Sequence, residues 1–174
     1  VIGGSQGAHA INVAMMGAAR AFAAEADRLA VTHQTGERDC PDVRRTYDEA
    51  GLVARVEPFF PEMVELMGDA DIVVCRAGAT TLAELAAVGR PAVLVPLPGS
   101  ADGHQRVNAE MAARDGAAEL LLQQELTGET LVERVLALAR DDARRHRMAA
   151  AARSLARPNA ASLVVDRIEQ LARW

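Results

Sequence analysis

Along the chain of 174 residues, short apolar runs alternate with longer stretches whose apolar positions recur every three or four residues. The short runs are RLAVTHQ (Arg28 to Gln34), VARVEPF (Val53 to Phe59), DIVVCR (Asp71 to Arg76), PAVLVP (Pro91 to Pro96) and AAELLL (Ala117 to Leu122). Each has the length of a strand. Val1 and Ile2 read as the end of one more. Between them the helical period predicts helices over Ala8 to Ala26, Pro41 to Ala50, Met63 to Met67, Thr80 to Val88 and His104 to Asp115. Beyond Leu122 the pattern is helical only, over Gly128 to Asp141 and Ala143 to Ala156. Pro158 breaks it, and a last helix is expected from Ala160 to Trp174.

Strands alternating with helices imply parallel βαβ units. The fold class expected is α/β: a Rossmann-like, doubly wound parallel sheet of about six strands with right-handed crossovers. Residues 1–157 form that domain, and 158–174 a separate C-terminal helix. The opening VIGGSQGA lacks an initiator Met and reads as the continuation of a strand begun earlier, so a longer protein is expected.

Composition narrows the reading. Half of the residues are hydrophobic and few are aromatic, which suits a helix-rich, close-packed core. A net charge of −5 argues against a broad nucleic-acid surface, which needs a basic face. Cys40 and Cys75 lie far apart without metal-ligand spacing, as in a reducing compartment. No apolar run approaches the length of a membrane span.

Three strand-to-helix junctions carry polar chemistry. GGSQGAHAIN turns from the first strand into a helix; Gly3, Gly4 and Gly7 allow a tight turn, and the helix N-terminus suits a phosphate. Ser5 and Gln6 add side-chain donors. A dinucleotide site would want an acid at the end of the second strand, but VTHQTG has His33 and Gln34 there, which weighs against NAD. The acid stands elsewhere. In RAGATTLAE, Glu84 lies one turn inside the helix that follows Arg76 and Gly78, where a carboxylate can hold both hydroxyls of a ribose. The N–H groups of Ala79, Thr80 and Thr81 would meet a diphosphate. Read as ordinary structure, Glu84 is a first-turn acid and the threonines are an N-cap. In PLPGSADGHQRVNAE, Gln105 and Asn108 are i and i+3 on one helix face, and amides there can read sugar hydroxyls. His104 reads as solvated and Asp102 as an N-cap. Phe59, Phe60 and Met63 form an apolar cluster beside which a flat base could lie.

On these stretches the chain resembles the MurG family of peptidoglycan N-acetylglucosaminyltransferases. The matching segments are GGSQGA, HQTG, PFFPEM, ADIVVCRAGATTLAELAAVGRPAVLVPLP and DGHQRVNAE followed by GAA. They run in family order over most of Val1 to Ala118. The resemblance implies one half of a two-domain GT-B glycosyltransferase, the C-terminal half that binds the donor UDP-N-acetylglucosamine. It implies substrate-binding roles for Ser5 at the diphosphate, for the Phe60 backbone at uracil, and for Ala79, Thr80, Thr81, Leu82 and Ala83 along the phosphates. Glu84 would hold the ribose, and Gln105 and Asn108 the sugar. It implies no bound metal or other cofactor, and a catalytic base in an N-terminal domain that also binds the lipid-linked acceptor and touches the cytoplasmic face of the membrane. The helix of residues 158–174 would pack towards that domain. Gly99 and Gly103 depart from the family, in which many members carry a histidine and an aspartate. Another GT-B glycosyltransferase, a UDP-sugar epimerase and a non-catalytic nucleotide-binding module stand as alternatives.

Overall fold

The computed structural model describes residues 1–3, 7–100 and 103–172. Ser5 and Asp102 lie outside the described residues. Five strands are present: β1 (Val31–Gln34), β2 (Ala54–Glu57), β3 (Val73–Cys75), β4 (Ala92–Leu94) and β5 (Ala118–Leu120). The helices are α1 (His9–Ala23), α2 (Cys40–Ala50), α3 (Met63–Asp69), α4 (Ala79–Val88), α5 (His104–Arg114), α6 (Gly128–Ala139), α7 (Asp142–Ser154) and α8 (Ala160–Ala172).

All pairings are parallel. β1 pairs with β2, and β4 lies between β3 and β5. Ile2 joins these two ladders, bridging Gln34 of β1 and Cys75 of β3. Ile2 N–H donates to the Val74 carbonyl at 2.8 Å, and Gly3 N–H to the Gln34 carbonyl at 3.0 Å. The spatial order is therefore β2, β1, Ile2, β3, β4, β5. The chain winds outward in one direction from Ile2 to β2, then in the other from β3 to β5. That is the doubly wound arrangement, and its switch point lies between Ile2 and β3.

Among the described residues the first expected strand is a single bridging residue, Ile2. The other strands are shorter than their apolar runs. The run PAVLVP is bounded by prolines, which cannot donate to a ladder, and only Ala92–Leu94 is paired as strand. The apolar run continues regardless, because parallel strands are covered on both faces.

The buried side chains of the central strands alternate between two cores. Val74, Val93 and Val95 join a core with Ile11, Met15 and Phe22 of α1, Tyr47 of α2 and Leu131 of α6. Val73, Cys75, Ala92 and Leu94 join a second core with Met67, Leu85, Ala109 and Ala112. The period of two sends neighbouring side chains to opposite faces of the sheet, so α3, α4 and α5 cover one face and α1, α2 and α6 the other. Cys75 is wholly buried, and burial pushes its thiol up to about 12. It packs and has no reactive character. α8 stands apart: every described residue from Arg157 onward is exposed.

Candidate functional site

Parallel strands bring their carboxyl ends to one edge of the sheet, and there the polar junctions meet. The turn after Ile2 enters α1, and Arg76 to Gly78 enters α4, one on each side of the switch point. Gly7 has φ 74°, and a Cβ there would sit 2.3 Å from the Thr35 carbonyl oxygen. Any side chain would push apart the turn after Ile2 and the end of β1.

α4 begins without a cap. Gly78 stands at the N-cap with extended backbone, no side chain bonds the first turn, and that turn holds no acid. Ala79 and Thr80 are exposed, while Thr81, Leu82 and Glu84 are half-buried. The threonines are therefore inside the first turn, where their N–H groups point outward from the helix end. Glu84 is the sixth residue of α4, beyond the first turn, so its place is not that of a dipole-complementing acid.

Phe60 follows β2. Its ring is buried with the Arg55 guanidinium stacked over it at 4.6 Å, and Arg55 in turn pairs with Glu62 at 2.7 Å. Its N–H donates to Gln34 Oε1 at 2.8 Å. Of the two backbone groups expected to face a base, the carbonyl is thus the one not already engaged by this bond. The neighbouring Phe59 ring is 58% exposed and presents a flat apolar face at the same edge.

The two amides of α5 are anchored by one end each. Gln105 Oε1 accepts from Leu97 N–H at 3.0 Å, and Asn108 Nδ2 donates to the Ala77 carbonyl at 3.1 Å. The sequence pattern placed them on one helix face, and the structure adds that they tie α5 to the ends of β4 and β3. Gly99 and Gly103, the two departures in the intervening loop, have φ of 69° and 64°, in the left-handed region where glycine carries no penalty.

Sequence reasoning missed a polar network beneath the β1 end. Asn12 Nδ2 donates to the Thr35 carbonyl at 2.9 Å and to Asp39 Oδ2 at 2.8 Å. Asn12 Oδ1 is then an acceptor, so His33 Nε2, 3.0 Å away, must carry a hydrogen. His33 Nδ1 is left to accept from the Tyr47 hydroxyl at 2.8 Å. Burial holds His33 down to about 3, so it is neutral, and burial also raises the Tyr47 pKa. Asp39 gathers Asn12, His9 and Arg38; burial works to raise its pKa, but these hydrogen bonds outweigh it and bring the carboxyl down to about 2. The signal in the sequence was a histidine and a glutamine inside an apolar strand, which only a partner-rich interior tolerates.

A doubly wound sheet with an uncapped helix start, a carboxylate one turn in and two amides on the next helix has the chemistry to suit a phosphorylated sugar or nucleoside. The family model of the glycosyltransferase family 28 C-terminal domain matches residues 1–164, and the chain belongs to that family. It is 44% identical over 166 residues to the UDP-N-acetylglucosamine--N-acetylmuramyl-(pentapeptide) pyrophosphoryl-undecaprenol N-acetylglucosamine transferase of Geotalea uraniireducens (strain Rf4), covering 95% of this chain and 46% of that protein. It is 46% identical over 173 residues to the protein of the same name from Anaeromyxobacter sp. (strain Fw109-5), covering 99% and 45%. Its fold is similar to the crystal structure of Acinetobacter baumannii MurG, with a TM-score of 0.86, 35% identity, and coverage of 97% of this chain and 48% of that one. The likeness to the spinosyn forosaminyltransferase SpnP, at 21% identity and a TM-score of 0.61 over 94% of this chain and 40% of that one, is one of fold. The chain spans about half the length of the curated relatives it matches.

Proposed function

We propose that this chain is the donor-binding half of an N-acetylglucosaminyltransferase acting on lipid-linked N-acetylmuramyl-pentapeptide. The observation that carries the reading is the uncapped α4 start with Glu84 one turn behind it, at the switch point of a chain whose relatives bear that activity in their names. UDP-N-acetylglucosamine is the donor. Its diphosphate lies against the N–H groups of Ala79, Thr80 and Thr81, along the run continued by Leu82 and Ala83, with Ser5 on the side of the first turn. Glu84 accepts the ribose hydroxyls. The Phe60 carbonyl takes the uracil imide N–H, and the exposed Phe59 ring supports the flat face of the base. Gln105 Nε2 and Asn108 Oδ1, the amide ends not spent on Leu97 and Ala77, meet the sugar.

In the reaction a hydroxyl oxygen of the acceptor sugar forms a bond to the anomeric carbon of the donor. The bond from that carbon to the diphosphate oxygen breaks, and its electron pair leaves with UDP. Attack opposite the leaving group inverts the anomeric centre, and the acceptor proton passes to a base in the other half of the protein. This half supplies the stabilisation of the leaving charge: helix N-termini aimed at the diphosphate are already oriented and need no bound metal.

α8 packs against that other half. It carries Leu163, Val164, Val165, Ile168 and Leu171 at 53–62% exposure, a face that water alone does not suit. Among the described residues no helix is long and apolar enough to cross a membrane. Contact with the cytoplasmic membrane surface and with the lipid acceptor is assigned to the other half.

Calorimetric titration with UDP-N-acetylglucosamine, UDP-N-acetylgalactosamine and NADH tests the reading. Binding of the first in preference to the second is the expected result. Binding of NADH, or of no uridine nucleotide, would overturn it.

A further inference from the structure

Arg76 is a charged side chain at the carboxyl edge to which the donor reading gives no role. It follows β3 directly, is half-buried, and forms no ion pair with any described carboxylate. Its hydrogen bonds go to neutral acceptors on two other strand ends. Nη1 donates to the Val95 carbonyl at 3.0 Å and to the Pro96 carbonyl at 3.3 Å. Nη2 donates to Gln123 Oε1 at 2.8 Å, in the turn after β5. One planar guanidinium thus ties the carboxyl ends of β3, β4 and β5. A fork of donors in fixed geometry suits that task, and a lysine ammonium cannot reproduce it.

The tie is continuous with the two amides of α5. Leu97, next to Pro96, donates its N–H to Gln105 Oε1. Ala77, next to Arg76, gives its carbonyl to Asn108 Nδ2. The segment Val95 to Leu97 is therefore held from one side by Arg76 and from the other by Gln105. Gly99, two residues further on, takes a left-handed backbone conformation. Without Arg76 the Val95 and Pro96 carbonyls lose their donor, and the segment that fixes Gln105 is released.

We infer that Arg76 is a positioning residue for the sugar end of the donor site: it sets Gln105 and Asn108 through the ends of β4 and β3, without itself touching the nucleotide. The inference rests on the donor reading above. It separates two parts of one ligand. The proposed base contact lies after β2, away from the tie, and the proposed diphosphate contacts are backbone N–H groups held by the helix geometry of α4 itself, whereas the sugar contacts on α5 bond directly to the tied segments.

The test compares UDP with UDP-N-acetylglucosamine on the whole chain, in R76M and R76K, by calorimetry. The expected result is a loss of about tenfold or more in affinity for the nucleotide sugar in R76M, as oriented amide hydrogen bonds are lost, with UDP affinity held within about twofold. R76K keeps the charge but not the fork, and should show the same selective loss. Equal weakening of both ligands in R76M with recovery in R76K would overturn the inference and make Arg76 a diphosphate contact. Unchanged binding of both would also overturn it. A second readout needs no nucleotide: amide hydrogen exchange at Leu97 should accelerate in either variant while that at Phe60 does not, and an unchanged Leu97 rate would refute the tie even if binding shifts. If the unmodified chain binds neither ligand, the donor reading fails and the sugar role with it, whereas the exchange result still reports on the tie.

Discussion

Two pairs of helix N-termini in this molecule contrast. α1 and α4 start at the carboxyl edge of the sheet with Ala8 and Gly78 at their N-caps, no side-chain cap and no acid in the first turn. α6 and α7, which lie after the last strand, are capped by the side chains of Thr127 and Asp141 and carry Glu129 and Asp142 in their first turns. Thr127 and Thr130 even satisfy each other's backbone N–H groups reciprocally, at 3.1 and 2.9 Å. The chain thus caps the two helices that follow the last strand and leaves the starts of α1 and α4 bare at the switch point. An open N-terminus forgoes about 1 kcal/mol of capping and keeps its N–H groups and positive dipole end for an anion.

The sharpest way to break this contrast is to cap α4. Gly78 has ordinary φ, and a Cβ there would make an ordinary contact with Thr81 Oγ1 at 3.9 Å, so G78D should fold. An aspartate would bond the first-turn N–H groups and place a negative charge at the proposed diphosphate position. UDP affinity should fall roughly a hundredfold, while the ligand-free chain gains about a few tenths of a kcal/mol in stability, since glycine is itself a fair N-cap. Retained UDP binding in calorimetry would mean that the α4 start is not the phosphate site.

Acid should act next, through the network under the β1 end. His33 is held near 3 against an ordinary value of 6.5, so the unfolded chain binds the extra proton between those values. Its contribution is fully present above pH 6.5 and falls as pH drops towards 3, by about 1.4 kcal/mol per pH unit over the middle of that window. Asp39, held near 2, adds its own loss only below its ordinary 3.8. Urea unfolding at pH 7.5, 6 and 5 measures the slope, and H33Q should flatten it between pH 6 and 5. A slope unchanged by H33Q would place the titration elsewhere.

A smaller change is expected from E84A. Losing the proposed ribose acceptor should weaken UDP by about tenfold, with less effect on a 2′-deoxyribose analogue. Thermal stability should hardly move, because Glu84 is half-buried and caps nothing. Smallest of all is T127A on the other side of the contrast. It should cost about 1 kcal/mol of folding stability and leave nucleotide affinity unchanged. If it also weakened UDP, the two ends of the domain would be coupled and the division between them would not hold.

Much of this was legible in the chain itself. The alternation of apolar runs and helical periods specified the order of elements, since parallel strands buried on both faces must read as continuous apolar segments. The glycines of GGSQGA, the RAGATT junction and the i, i+3 spacing of Gln105 and Asn108 located the polar chemistry by local geometry alone. What they could not specify is which groups find each other across the sheet. That Phe60 gives its N–H to Gln34, that Asn12, His33 and Tyr47 share one proton order, and that Arg76 spans three strand ends depend on contacts between segments 14 to 47 residues apart. Periodicity reports which face a residue takes, because that follows from the backbone repeat of its own segment. Partnership follows from how segments pack, and only the assembled sheet, with Ile2 joining its two halves, brings those partners to one edge.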